Sequence, residues 1–157
     1  MKREARVKRP ARRAIASAFW DASALVPLCC LQPQSQHARQ AARIYRQQIV
    51  WWGTAIETLG ALLRAHRLAR LGSREAAQST AKLLYLRKHW TEVEPSESVR
   101  SQAERMIRVH ALRTGDALQL AAALVWCDLH PRGRVFVCAD DALSSAAEAE
   151  GFTVVYV

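Results

Sequence analysis

Val135-Phe-Val-Cys-Ala-Asp-Asp-Ala-Leu-Ser-Ser-Ala-Ala-Glu-Ala-Glu-Gly-Phe-Thr-Val-Val-Tyr-Val157 reads as a strand, a helix and a second strand. Val135–Ala139 is a short apolar run, the pattern of a strand buried on both faces. Asp140-Asp141 leads into a helix over Ala142–Glu150, and Gly151 stops it. Phe152–Val157 is again strand-like. A strand, a crossover helix and another strand form the repeating unit of a parallel sheet.

The rest of the chain continues this alternation. Ala14–Trp20 reads as a first strand, and Ser23–Leu31 as a short helix with Pro27 in its early turns. Gln32–Ser35 is a loop, with Ser35 placed to cap a helix over His37–Gln47. Ile49–Trp52 is a second buried strand. Thr54-Ala-Ile-Glu57 matches a capping box at the head of a helix reaching Leu71. After Gly72, Ser73 starts another helix that runs to about His89, so this pair has no strand between its members. Thr91–Glu94 reads as a short strand, and Ser96-Glu-Ser98 as the start of a helix to about His110. Thr114 is placed to cap an apolar helix to Leu129. The expected fold is α/β: a three-layer α/β/α arrangement with a mostly parallel central sheet and a helical hairpin at one side.

The chain has 157 residues, 50% hydrophobic and 24% charged, which suits one soluble domain with a real core. No apolar run approaches the roughly 20 residues of a membrane span. The net charge of +9 is uneven: Met1–Arg13 carries seven Lys and Arg against Glu4. This segment (residues 1–13) is read as a basic, disordered arm before a single domain over residues 14–157. It suits a polyanionic partner, or it is only a solvated tail. The arm and Ala14–Trp20 superficially resemble a signal peptide, but the apolar stretch is short and rich in Ala and Ser. Cys29, Cys30, Cys127 and Cys138 form no C-x-x-C pair, so reduced thiols and a cytoplasmic location are expected.

Four acids fall at strand ends or helix starts. Asp21 closes the first strand, Glu57 follows the second by one turn, Asp116 opens the helix from Ala117, and Asp140 closes Val135–Ala139. In a parallel sheet these places share the C-terminal edge, where such folds put their sites. Each acid singly has a plain structural role as a helix cap or a first-turn charge. Together they repel: at ~4 Å a like-charged pair costs roughly 1 kcal/mol in water and about 4 at an effective dielectric of ~20. Protons, a cationic side chain or a divalent metal must relieve that, and the metal option points to phosphoryl-transfer chemistry. Hard cations such as Mg²⁺ and Mn²⁺ take oxygen ligands and keep several waters, so a few carboxylates suffice. Ser23 is placed to hold an acid or a water, and Arg113 to meet a phosphate or only solvent. The basic stripe Arg64, Arg67, Arg70 and Arg74 either tracks a phosphate backbone or is a solvated helix face. His37, His66, His89, His110 and His130 show no ligand spacing, and Trp51 and Trp52 read as core or contact residues.

Four segments resemble the PIN-domain ribonucleases, especially the VapC-like toxins of toxin–antitoxin pairs. They are Phe19-Trp-Asp-Ala-Ser-Ala-Leu25, Thr54-Ala-Ile-Glu-Thr-Leu59, Arg113-Thr-Gly-Asp-Ala-Leu-Gln-Leu-Ala-Ala-Ala-Leu124 and Val135-Phe-Val-Cys-Ala-Asp-Asp-Ala-Leu143. The resemblance runs from about Ile15 to the C-terminus and implies a metal-dependent endoribonuclease. It implies Asp21 and Asp116 as the main ligands of Mg²⁺ or Mn²⁺, with Glu57 and Asp140 completing the pocket. It implies RNA as substrate, a cognate antitoxin as partner, and a homodimer. Two features depart from the family pattern: Cys138 stands where Thr or Ser is common, and the basic arm is long. Two rivals remain. A phosphotransfer or phosphohydrolase fold with a nucleophilic Asp21 would want a Lys late in the chain, yet the only lysines are Lys2, Lys8, Lys82 and Lys88. The other is a non-catalytic nucleic-acid or partner-binding module with a degenerate acidic pocket.

Overall fold

A computed structural model describes residues 16–157; the basic arm lies outside the described residues. The elements in order are β1 (Ser17–Trp20), α1 (Ala22–Cys29), α2 (Ser35–Ile44), β2 (Gln47–Trp51), α3 (Thr54–Arg67) and α4 (Ser73–Arg87). They continue with β3 (Thr91–Val93), α5 (Glu97–His110), α6 (Thr114–Trp126), β4 (Val135–Cys138), α7 (Asp141–Glu150) and β5 (Thr153–Tyr156). Every strand and helix expected from the alternation is present. The sheet is parallel throughout rather than mostly so, in the order β3-β2-β1-β4-β5. Phe19 pairs with Ile49 on one side and with Phe136 on the other.

Side chains alternate across β1 and so feed two separate cores. Phe19, with Ile49, Trp51 and Phe136, packs under α5, α6 and α7. Ala18 and Trp20, with Val50 and Val137, pack under α1 to α4. On the first side the Phe19 and Phe136 rings stack at 5.4 Å. α6 has seven buried residues between Ala117 and Leu124, and its small alanines let it lie close on the sheet. The α3–α4 hairpin packs on α1.

Three expected caps differ. The α3 N-cap is Gly53, not Thr54; the α6 N-cap is Arg113, not Thr114; Ser35 lies inside α2. In each case a tertiary or cross-loop partner took the polar group. Thr54 is fully buried and donates its hydroxyl hydrogen to Gln119 Oε1 at 3.1 Å. Ser35 Oγ accepts from the Gln32 N–H at 2.9 Å and lies 2.7 Å from the Pro27 carbonyl oxygen, so it closes the loop after α1. Ser96 behaves as expected, accepting from the Val99 N–H at 3.2 Å.

Strands β2 and β3 lead off from β1 in one direction and β4 and β5 lie in the other. The chain direction of the order therefore reverses at β1–β4, and a crevice opens above that point at the strands' C-terminal ends.

Candidate active site

Asp21 is the first residue past β1, and its N–H still donates to the Val137 carbonyl at 3.0 Å. Its carboxylate accepts from the Ser23 N–H at 2.8 Å and so caps α1. The side chain is 4% exposed, which is severe for a carboxylate. Burial pushes its pKa up to about 6; the Ser23 hydrogen bonds pull against that, and the Asp116 charge adds to it.

Asp140 performs the same double duty at the neighbouring strand. It follows β4 and caps α7, accepting from the Leu143 N–H at 2.8 Å. Cys138 backs this turn: its sulfur accepts from the Asp140 N–H at 3.2 Å and lies 3.7 Å from Ser23 Oγ. Burial, then the charge of Asp21, raises the Cys138 thiol to about 11, so it stays protonated and unreactive. Ser23 Oγ accepts from the Ala139 N–H at 2.9 Å, tying the start of α1 to the end of β4. That bond holds Asp21 and Asp140 in fixed relation.

Glu57 sits in the first turn of α3, and the capping box suggested by its spacing does not form. Its carboxylate instead accepts from Gln119 Nε2 at 3.2 Å. Gln119, fully buried in α6, thus spans from Thr54 to Glu57 with both ends of its amide used. Glu57 Oε2 rests 3.8 Å from the position a Cβ on Gly115 would take, beside Asp116. Burial raises the Glu57 carboxyl to about 7; the Gln119 bond opposes this, and the charges of Asp21 and Asp116 reinforce it. Asp116, in the first turn of α6, is raised by burial and by Asp140, with Arg113 pulling the other way.

All four sequence-predicted acids therefore meet at the C-terminal edge and feel one another's charge. Among the described residues, no three His, Cys, Asp or Glu side chains stand close enough to grip an ion alone. The donors suit a hard cation in kind, and the spacing leaves room for water and substrate oxygens in its shell. Gln119 is the functional-site residue that the sequence reading missed. Its signal was a lone amide in an apolar helix, three residues after Asp116 and on the same face. Trp51 packs against Gly53, where an added Cβ would come within 2.6 Å of its indole nitrogen. Trp52 is half-exposed and meets the edge of Trp51 at 6.5 Å. His66 bonds the Leu71 carbonyl and His110 bonds Glu150, both away from the acids.

No protein-family model and no curated protein matches the sequence. Solved structures do match the fold. A toxin–antitoxin complex from Klebsiella pneumoniae aligns with a TM-score of 0.58 and 15% identity, over 79% of this chain and 87% of that one. PAE2754 from Pyrobaculum aerophilum gives 0.63 and 20%, over 90% and 91%. VapC20 from Mycobacterium tuberculosis, described as a toxin cleaving the sarcin–ricin loop, gives 0.61 and 19%, over 83% and 95%. The chain therefore has a VapC-like PIN fold, with its four converging acids at the carboxyl edge of the sheet.

Proposed function

We propose that this protein is a metal-dependent endoribonuclease and the toxin of a toxin–antitoxin pair. The observation that carries the reading is the convergence of Asp21, Glu57, Asp116 and Asp140 at the switch point of this fold. The fold's neighbours include a toxin–antitoxin complex and an RNA-loop-cleaving toxin, which supports the same class.

Asp21 and Asp116 would hold Mg²⁺ or Mn²⁺, with Glu57 and Asp140 completing the pocket directly or through water. The bound ion supplies Lewis acidity, which acidifies water and offsets charge on the scissile phosphate. The chain's own residues do the rest. Ser23 and Gln119 orient Asp21 and Glu57. Glu57, at about 7 without metal, is suited to exchanging a proton near neutral pH. The raised carboxyls show a cluster short of positive charge, as a cation site requires. Ile56 and Leu63, seven residues apart on α3, are exposed large apolar side chains on one helix face, which supports self-association as a homodimer. The cognate antitoxin and a cytoplasmic location belong to the same proposal.

The test is cleavage of a mixed RNA pool by purified protein with Mg²⁺ or Mn²⁺, beside Asp21→Asn and an EDTA control. Metal-dependent cutting that the substitution abolishes is the expected result. A folded wild type that neither cuts RNA nor binds Mn²⁺ would establish the non-catalytic binding module instead.

A further inference from the structure

The charge of this chain is divided between the two helical layers. Residues 31–90, which build α2, α3 and α4, carry ten Lys and Arg against Glu57 and Glu75. Glu57 belongs to the acidic crevice, and Glu75 is committed to the Gly72 N–H at 3.0 Å. Residues 91–157, which build α5 to α7, carry six Arg against ten acids. There the arginines are neutralised in place: Arg100 by Glu97, Arg105 by Glu150 and Arg108 by Glu104. On the basic layer only Arg87 has a carboxylate partner among the described residues, and that partner, Glu92, comes from β3. The remaining cations there are all exposed. The sequence showed a basic stripe on α3 and α4; the fold adds α2 to it and leaves it unneutralised.

One part of this layer is concave. A hollow of about 280 Å³ lies between α2 and α4, with Arg39, Arg43 and Lys82 around it and Leu28, Gln48 and Leu86 among its other walls. No acid lines it. Arg39 and Arg43 are four residues apart on one helix, a like-charge spacing that opposes helix formation. Lys82 is held with its ammonium 5.9 Å over the Tyr85 ring. Three cations that repel one another in a hollow without a counter-charge form a receptor for an anion.

We propose that the α2–α4 layer is the docking face for the RNA backbone, with one phosphate seated between Arg39, Arg43 and Lys82. The proposal rests on the reading of the protein as one that acts on RNA. The layer favours phosphate over carboxylate because it is mostly arginine, whose planar fork matches phosphate oxygens. Position favours it too. Leu28, in the wall of the hollow, lies on α1 seven residues past Asp21, about 10 Å along the helix at roughly 1.5 Å per residue. Phosphates recur along a strand, so a chain held at the hollow can present a later one to the crevice. An acidic polypeptide continuing the same way would meet only repulsion.

Binding of a fluorescein-labelled, mixed-sequence 20-nucleotide RNA to the full chain, in EDTA and across a salt series, tests this. The triple variant Arg39→Gln, Arg43→Gln, Lys82→Gln is expected to bind at least tenfold more weakly. Its salt slope should be shallower by about 2, since each phosphate contact on a single strand contributes roughly 0.7. Arg39→Lys, Arg43→Lys, Lys82→Arg should restore the slope, and Arg100→Gln, Arg108→Gln on the other layer should leave it alone. A triple variant that matches wild type in affinity and slope overturns the proposal. So does one that loses only polyglutamate binding, which would assign the hollow to an acidic protein. EDTA makes the readout independent of cutting: loss of the slope in a protein that never cleaves RNA would sink the nuclease and keep the docking face.

Discussion

Asp21 and Asp140 each cap a helix, so the plain structural role and the proposed chemical one are filled by the same carboxylates. Capping fixes each side chain without using up all its oxygen lone pairs, and the remainder face the crevice. Crowding the acids stores repulsion, and removing one should release it. Asp116→Asn is expected to raise the melting temperature of the metal-free protein by about 2–4 °C, the equivalent of ~1 kcal/mol for a domain of this size. The same variant should lose Mn²⁺ binding in a calorimetric titration; unchanged affinity would remove Asp116 from the ligand set. A pH dependence follows from Asp21 and Glu57, raised from 3.8 to about 6 and from 4.5 to about 7. The folded protein binds more protons than the unfolded one in that interval, so stability is greatest below about pH 4 for these groups and declines as pH rises towards 7. Asp21, being buried, should contribute on the order of 3 kcal/mol and the more solvated Glu57 less. Urea melts in EDTA from pH 4 to 8 check this, and Asp21→Asn should flatten the decline. The four acids were legible in sequence because an acid at a strand end or helix start announces its edge. Gln119 was not, because its partners Thr54 and Glu57 lie more than sixty residues away.

At the level of elements, the joint between α3 and α6 is made by one amide. Gln119→Leu keeps the volume and removes the bridge, leaving the buried Thr54 hydroxyl and the Glu57 carboxylate without their partner. The expected cost is about 1–3 kcal/mol in urea unfolding. The Glu57 carboxyl should titrate higher still, since the Gln119 bond is what holds it down, and the basic-side shift would show in the pH profile of cleavage. A loss of stability with an unmoved profile would make Gln119 a packing residue only. A second joint ties α5 to α7: Arg105 and His110 both bond Glu150. Burial would raise that carboxyl, but the two cationic partners outweigh burial and hold it below its ordinary value. Strands and helices were readable from periodicity to within a few residues. The caps at Thr54 and Thr114 were misassigned because both residues fit the local signal, while the helices take their N-caps one residue earlier, at Gly53 and Arg113. A local motif states what a side chain can do; burial against another helix decides what it does.

For the molecule as a whole, alternation of strand and helix was enough to read a parallel α/β sheet, but not the strand order, which depends on pairings between distant segments. Nor did composition show that the two layers differ in charge, because that requires knowing which helices share a face. The basic arm adds to the same side of the ledger by charge alone. Removing Met1–Arg13 is expected to weaken RNA binding and flatten its salt dependence further; an unchanged slope would make it a passive tail. The central pair β1 and β4 has a temporal consequence. β4 begins 115 residues after β1 ends. At a synthesis rate of about 5–20 residues per second, β1 waits roughly 6–23 seconds for its neighbour. Asp140 arrives later than that, so the crevice comes into being only as synthesis nears its end. Any chain cut short before that point carries the basic layer and most of the acids, yet has no assembled centre with which to cut.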